Sequence, residues 1–250
     1  MNDALQTRNL VKKFGGFVVT NNVNLNVQAG ARHALIGPNG AGKTTLINLL
    51  SGFLEPSSGT VLLQGQEVTN LAQHQRVKRG LARTFQINRL FSDLTVLESV
   101  VMAVNERLGL GARFWKPVGA HTHAMDEAAE LLRTLNLLDV AHSKTRNLAY
   151  GRQRLIEIAL ALAAKPSVLL LDEPAAGVPT SESRALFESI AALPREVTIL
   201  LIEHDMDLVF RFADTISVLV SGALLTQGTP EQIANDPRVK EVYLGEAAHV

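Results

Sequence analysis

The chain has 250 residues, with 24 Lys and Arg against 24 Asp and Glu and a formal net charge of zero, which argues against a nucleic-acid partner held by a broad basic field. It contains no cysteine, so disulfides and thiolate metal sites are excluded. The length suffices for one large α/β domain with an appended subdomain and a packed core.

The first residues, Met1 to Gln6, lack the charged and apolar regions of a signal peptide. The longest apolar run, Leu155 to Leu171, is broken by Glu157, Lys165 and Pro166, too interrupted to span a bilayer. A soluble protein is expected. Alternation between Leu10 and Val27, split by Gly15-Gly16, predicts antiparallel strands. Arg32 to Ile36 reads as a short buried strand. It runs into Gly37-Pro38-Asn39-Gly40-Ala41-Gly42-Lys43-Thr44-Thr45, and a helix is expected over Lys43 to Ser51, ending near Gly52.

That nine-residue run satisfies G-x-x-x-x-G-K-[ST] between a strand and a helix. Its glycines let successive N–H groups turn toward an anion, and the helix N-terminus adds unpaired donors and a positive dipole end. Lys43 can reach the β- and γ-phosphates of a nucleoside triphosphate, and the Thr44 hydroxyl can ligate Mg²⁺.

Further along, Thr60 to Gln64 reads as a strand with a turn at Gly65. The locally basic Arg76 to Arg83 reads as a solvated helix end. Leu81 to Phe85 reads as a buried strand delivering Gln86, whose amide suits ligation of Mg²⁺ or orientation of water. Val96 to Arg107 and Ala124 to Leu138 have helical periodicity, with Leu131, Leu135 and Leu138 on one face. The Gly-rich connection from Gly109 to Gly119 holds Phe114 and the only tryptophan, Trp115, read as a local packing anchor.

A helix is expected from Gly151 to about Ala164, broken by Pro166, and then a doubly buried strand at Val168 to Leu171. Ser181 to Leu193 reads as helix, Val197 to Ile202 as a second buried strand and Met206 to Phe212 as helix. A hairpin follows around Ser221-Gly222, with short helices after Pro230 and Pro237. Strands alternating with helices predict an α/β fold: a P-loop NTPase (RecA-like) core with an antiparallel β-subdomain and an inserted α-helical subdomain. Within a single domain over 1–250, residues 1–86 and 155–235 are expected to form the core with the β-subdomain, 87–154 the helical subdomain, and 236–250 a C-terminal tail.

Asp172 and Glu173 close the buried strand at Val168 to Leu171, the end that faces the ligand crevice of open α/β sheets. Asp172 suits orienting Mg²⁺ through its water shell, and Glu173 suits polarising an attacking water. His204, just past the other buried strand, suits contact with a γ-phosphate.

The phosphate loop, Gln86, Leu148-Ala149-Tyr150-Gly151-Arg152-Gln153-Arg154, Leu170-Leu171-Asp172-Glu173-Pro174 and His204 occur in an order that resembles the nucleotide-binding subunit of an ABC transporter. The resemblance covers essentially the whole chain. It implies ATP and Mg²⁺ as cofactors, Phe14 as an aromatic stacking on adenine (by itself equally a core or turn phenylalanine), and Glu173, His204 and Gln86 as the catalytic set. It also implies that Ala149, Tyr150, Gly151 and Arg152 face the nucleotide of a second ATPase subunit, in a paralogous heterodimer or a homodimer. Against the family pattern Leu-Ser-Gly-Gly-Gln, Ala149 replaces the serine and Tyr150 the first glycine. Ala175 to Pro179 lacks the usual aspartate of the cross-interface loop. Both departures lead us to expect two composite sites of unequal activity.

Thr84-Phe85-Gln86 with Arg89-Leu90-Phe91, Pro174-Ala175-Ala176-Gly177, Ile202-Glu203-His204-Asp205-Met206, the insert near 105–124 and the tail from Asn235 to Gly245 resemble the branched-chain amino-acid importer ATPases of the LivG type. That resemblance implies ATP hydrolysis driving import on the cytoplasmic face of the inner or plasma membrane. The implied partners are two transmembrane permease subunits and, indirectly, a periplasmic solute-binding protein, with no nucleic acid. The competing readings are the ATPase of a lipid or lipopolysaccharide exporter and a non-transport ABC ATPase.

Overall fold

The computed structural model describes residues 3–84, 90–110 and 122–247. Gln86, Phe85, Arg89, Phe114 and Trp115 lie outside the described residues. In chain order the elements are β1 (Asp3–Phe14), β2 (Phe17–Val23), β3 (Asn26–Gln28), β4 (Arg32–Ile36), α1 (Lys43–Ser51), β5 (Ser58–Leu63), β6 (Gln66–Glu67), α2 (Gln73–Lys78) and β7 (Leu81–Arg83). Then come α3 (Val96–Arg107), α4 (Thr122–Thr134), α5 (Tyr150–Leu162), β8 (Val168–Asp172), α6 (Thr180–Ala191) and β9 (Thr198–Ile202). The chain closes with α7 (Met206–Phe212), β10 (Thr215–Val220), β11 (Ala223–Gly228), α8 (Pro230–Asn235) and α9 (Pro237–Ala247).

These elements pack as two compact units. The first comprises Met1–Arg83, Ser167–Glu173 and Arg195–Val250, and the second Thr84–Pro166 and Pro174–Pro194.

The first unit holds two sheets. One runs β2-β1-β5-β6, with β3 also on β1. All its pairings are antiparallel, and β1 turns back into β2 with Phe14 opposite Phe17. The other runs β11-β10-β4-β9-β8-β7, parallel except for the β10–β11 hairpin. Every residue of β4, β8 and β9 is buried, the reason β8 and β9 are nearly continuous apolar runs rather than alternating patterns. The core joins Leu46, Ile47, Leu49 and Leu50 of α1 to Leu35, Leu170, Leu200 and Leu219 of that sheet. The sheet therefore carries the phosphate-loop helix largely on apolar packing along one face.

One expectation needs correction here. Of the basic residues at 76–83, only Lys78 and Arg79 are solvated. Arg76 is 1% exposed. Its Nη1 donates to the carbonyls of Leu49 and Leu50, both at 2.7 Å, its Nη2 to Thr69 O at 2.7 Å, and its Nε to Leu71 O at 3.0 Å. A cation thus meets carbonyls at the C-terminus of α1, where the helix dipole is negative. Burial pushes the Arg76 guanidinium down to about 10.

In the second unit α3 packs against α4 and α5, and α5 against α6. Thr95 and Glu98 form a capping box that starts α3. α4 stops at Thr134, short of the expected Leu138, because Asn136 adopts a left-handed φ of 56°. Its buried face is Ala124, Ala128 and Leu132; Leu135 is buried beyond the helix, Leu131 is half-buried, and Leu138 is 40% exposed in a separate 3₁₀ turn. Among the described residues, no helix is long and apolar enough to cross a membrane.

Candidate functional site

β4 feeds directly into the phosphate loop, whose shape depends on glycine at two points. A Cβ on Gly37 (φ 154°) would lie 2.1 Å from Leu219 O, and one on Gly42 (φ 98°) would lie 2.7 Å from Val19 O. Gly42 caps α1, and Leu46 N–H returns to its carbonyl at 2.9 Å. The first three N–H groups of α1 have no carbonyl four residues back within the helix. The Lys43 ammonium folds back over the loop and donates to Gly37 O at 2.5 Å and Pro38 O at 3.0 Å.

Asn39, Gly40, Ala41, Gly42, Lys43, Thr44 and Thr45 line a cavity of about 270 Å³ whose remaining walls are Val19 and Glu173. Gly37 and Pro38 hold Lys43 instead of lining that space. Phe14 also stands outside the lining. It ends β1, is 49% exposed, and carries the Lys12 ammonium 5.1 Å from its ring centroid, a cation–π contact on an accessible aromatic face.

The adjacent carboxylates Asp172 and Glu173 diverge. Asp172 ends β8, is 5% exposed, and accepts from Arg83 Nη2 at 2.9 Å. Glu173 has a left-handed φ of 48°, a conformation that costs a non-glycine residue about 1–2 kcal/mol. Its N–H is tied to Ile202 O of β9 at 3.0 Å. This turn sends Glu173 to the phosphate-loop cavity while its neighbour points inward. His204 is largely exposed; its Nδ1 lies 3.7 Å from the buried Glu203 Oε2, which accepts the His204 N–H at 3.0 Å. His204 stands outside the lining of the cavity. Gln86 falls outside the described residues.

The remaining predicted residues belong to the second unit. Ala149 is the N-cap of α5 and supplies no side-chain acceptor. The Gly151 N–H donates instead to Glu182 Oε2, from the first turn of α6, at 3.2 Å. A carboxylate of the chain itself thus meets the helix N-terminus that the sequence marks as an anion site. Ala149, Gly151 and Arg152 line a cleft of about 510 Å³ together with Leu155, Ser181 and Glu182. Tyr150 packs over Gly177, where a Cβ would meet its ring at 3.3 Å, and carries the Arg154 guanidinium 5.0 Å from its ring centroid. Arg152 pairs with Asp139 at 2.6 Å on the surface.

Sequence reasoning missed Arg83 and Glu182. Arg83 had a usable signal, since it closes a strand that begins with two apolar residues. Glu182 had none, because its contact joins two helices whose packing the sequence does not state.

Comparison with known proteins agrees with this geometry. The family profile described as ABC transporter matches residues 20–176, and one described as branched-chain amino acid ATP-binding cassette transporter matches 223–249. The chain is 45% identical to the high-affinity branched-chain amino acid transport ATP-binding protein LivG of Escherichia coli (strain K12), covering 97% of this chain and 98% of that one. It is 37% identical to a probable LivG protein of Archaeoglobus fulgidus, covering 96% and 95%. A solved ATP-binding cassette of an ABC transporter in its ADP conformation superposes with a TM-score of 0.85 at 31% identity, covering 98% of this chain and all of that one. The fold, the phosphate loop and these relatives together make the chain a member of the ABC transporter ATP-binding subunits, an ATPase on the branch of the branched-chain amino-acid transport proteins.

Proposed function

We propose that this chain powers an importer of branched-chain amino acids or similar small amphipathic solutes, as a peripheral subunit on the cytoplasmic face of the membrane. The observation that carries the reading is the shared cavity: the phosphate loop from Asn39 to Thr45 faces Glu173 across one space. The loop N–H groups and Lys43 bind the phosphates of ATP, and Phe14 offers its exposed face to the adenine. Glu173 takes a proton from water as it attacks the γ-phosphate, with His204 and Gln86 contacting that end of the nucleotide. The exposed Thr44 hydroxyl and the Asp172 carboxylate are hard oxygen donors too few for an all-protein cage, a set that suits Mg²⁺ bound along with phosphates. Thr44, Asp172 and Gln86 would hold it, and when bound it neutralises charge on the phosphoryl oxygens.

The N-terminus of α5 at Ala149 to Arg152 faces the nucleotide of a second ATPase subunit, so that ATP closes two subunits head to tail. The closure is transmitted to two permease subunits, which receive solute from a binding protein. The 45% identity to LivG over nearly the full length supports the solute class.

Substituting Glu173→Gln tests the chemistry. ATP binding should persist while hydrolysis slows roughly 10²–10⁴-fold, the range for losing a general base. Near-normal turnover would remove Glu173 from this role.

A further inference from the structure

Arg83 is paired in register with Leu170 of β8, so its side chain leaves the same face of the sheet as Leu170 and, two residues on, Asp172. α1 packs against both β7 and β8. There the guanidinium forks. Nη2 donates to Asp172 Oδ2 at 2.9 Å, while Nη1 donates to Asn48 Oδ1 at 2.6 Å and Ser51 Oγ at 3.1 Å. The ion pair is nearly sealed from water, with side-chain exposures of 9% for Arg83 and 4% for Asp172. One planar side chain therefore ties the strand that ends in Asp172 to the helix that begins with Lys43 and Thr44.

We propose that Arg83 is a positioning residue for the divalent cation that accompanies the nucleotide. By engaging Oδ2, it fixes the rotation of the Asp172 carboxylate and leaves Oδ1 to serve the cation. By engaging Asn48 and Ser51, it fixes that carboxylate relative to Thr44, which rides on the same helix. The proposal rests on the reading of Asp172 as a cation-orienting residue, and adds the element that orients Asp172 itself. The guanidinium geometry matters here as well as its charge. A lysine ammonium is a compact point charge without a rigid fork, so it can serve Asp172 or α1 but not both in fixed geometry. A residue that only filled the core would change the stability of the fold and leave cation affinity of the folded protein untouched.

The test uses the full chain with saturating ADP and Mn²⁺ as the paramagnetic probe, free Mn²⁺ being read by electron paramagnetic resonance. Arg83→Lys should weaken Mn²⁺ binding about tenfold, at the lower end of the 10–100-fold range for outer-shell partners of metal ligands. Its affinity for ADP in the presence of EDTA should equal that of the unsubstituted chain. Asn48→Ala, which removes the shorter of the two bonds from Nη1 to α1 and leaves both charges in place, should weaken Mn²⁺ binding by a smaller factor. Unchanged Mn²⁺ affinity in folded Arg83→Lys overturns the proposal. If that variant does not fold, unchanged affinity in Asn48→Ala overturns it instead. A different result separates the underlying reading: if Asp172→Asn binds Mn²⁺ as tightly as the unsubstituted chain, Asp172 is not a cation-orienting residue and the role of Arg83 falls with it.

Discussion

At Glu173 a left-handed backbone angle separates two neighbouring carboxylates into different jobs. The angle is strained for any residue with a Cβ, and strain of this kind persists where the surrounding structure enforces it. Glycine would relieve it. Glu173→Gly should raise the stability of the chain by about 1 kcal/mol while abolishing hydrolysis, measured by urea denaturation beside an ATPase assay; a loss of stability would show that the side chain contributes more than its backbone costs. The pair itself was legible in the sequence as acid residues closing an apolar strand. Their divergence was not, because nothing in Asp-Glu-Pro specifies the sign of φ.

Ala149 poses the complementary case. It caps α5 without an oxygen, and the Glu182 carboxylate meets the Gly151 N–H in its place. Restoring serine adds a hydroxyl at the helix start, so Ala149→Ser should increase ATP turnover of the assembled transporter if the site it completes is the weaker of two. Unchanged turnover would leave no reason to call the two sites unequal.

At the scale of elements, α1 is held at both ends by different means: glycine at its start, and the buried Arg76 on the carbonyls of its last turn. Removing the guanidinium strands several buried acceptors, each worth about 1–3 kcal/mol when left unpaired. Arg76→Met should therefore cost about 3 kcal/mol or more of unfolding free energy. The start of α1 could be read from the phosphate loop, residue for residue. Arg76 could not, since a run of basic residues on a short helix is usually solvated, and only the packing of α2 against the end of α1 turns one of them inward. The same limit applied to α4, where evenly spaced leucines suggested a longer helix than Asn136 allows.

Strands β4, β10 and β11 share a polar chain whose inner members, His33 and Ser217, are buried. His33 Nε2 lies 2.8 Å from Ser217 Oγ, and the Ser217 hydroxyl donates to Gln227 Oε1 at 3.0 Å. With that hydroxyl hydrogen committed, His33 must donate from Nε2 as a neutral ring. Burial pushes its pKa down to about 4 from 6.5. Because the folded value is depressed, the unfolded chain binds the proton first as pH falls. The stabilisation is complete above about pH 6.5 and is lost between there and about pH 4, amounting to about 3 kcal/mol. Unfolding free energy measured across that window should fall accordingly, and His33→Gln should flatten the slope. An equally steep slope in the variant would assign the acid sensitivity elsewhere.

At the scale of the whole molecule, the order of buried strands, phosphate loop and helices made the α/β ATPase architecture readable, because doubly buried parallel strands and glycine-rich phosphate loops leave strong marks. β1 was readable only from Leu10 onward, although it begins at Asp3; its early residues pair with both β3 and β5, and no single alternation survives that. The contacts that Arg76, Arg83 and Glu182 make between elements stayed hidden, because each reaches a separate helix or strand whose packing the local pattern does not state.

The central claim is that ATP hydrolysis at Glu173 drives solute entry. It is tested most directly by uptake of radiolabelled leucine into vesicles carrying the native complex, with ATP supplied on the side of this chain. Uptake should require ATP and the binding protein, and should fall to background when Glu173→Gln replaces the native subunit. Leucine uptake that is indifferent to ATP, or that survives Glu173→Gln at full rate, would contradict the account.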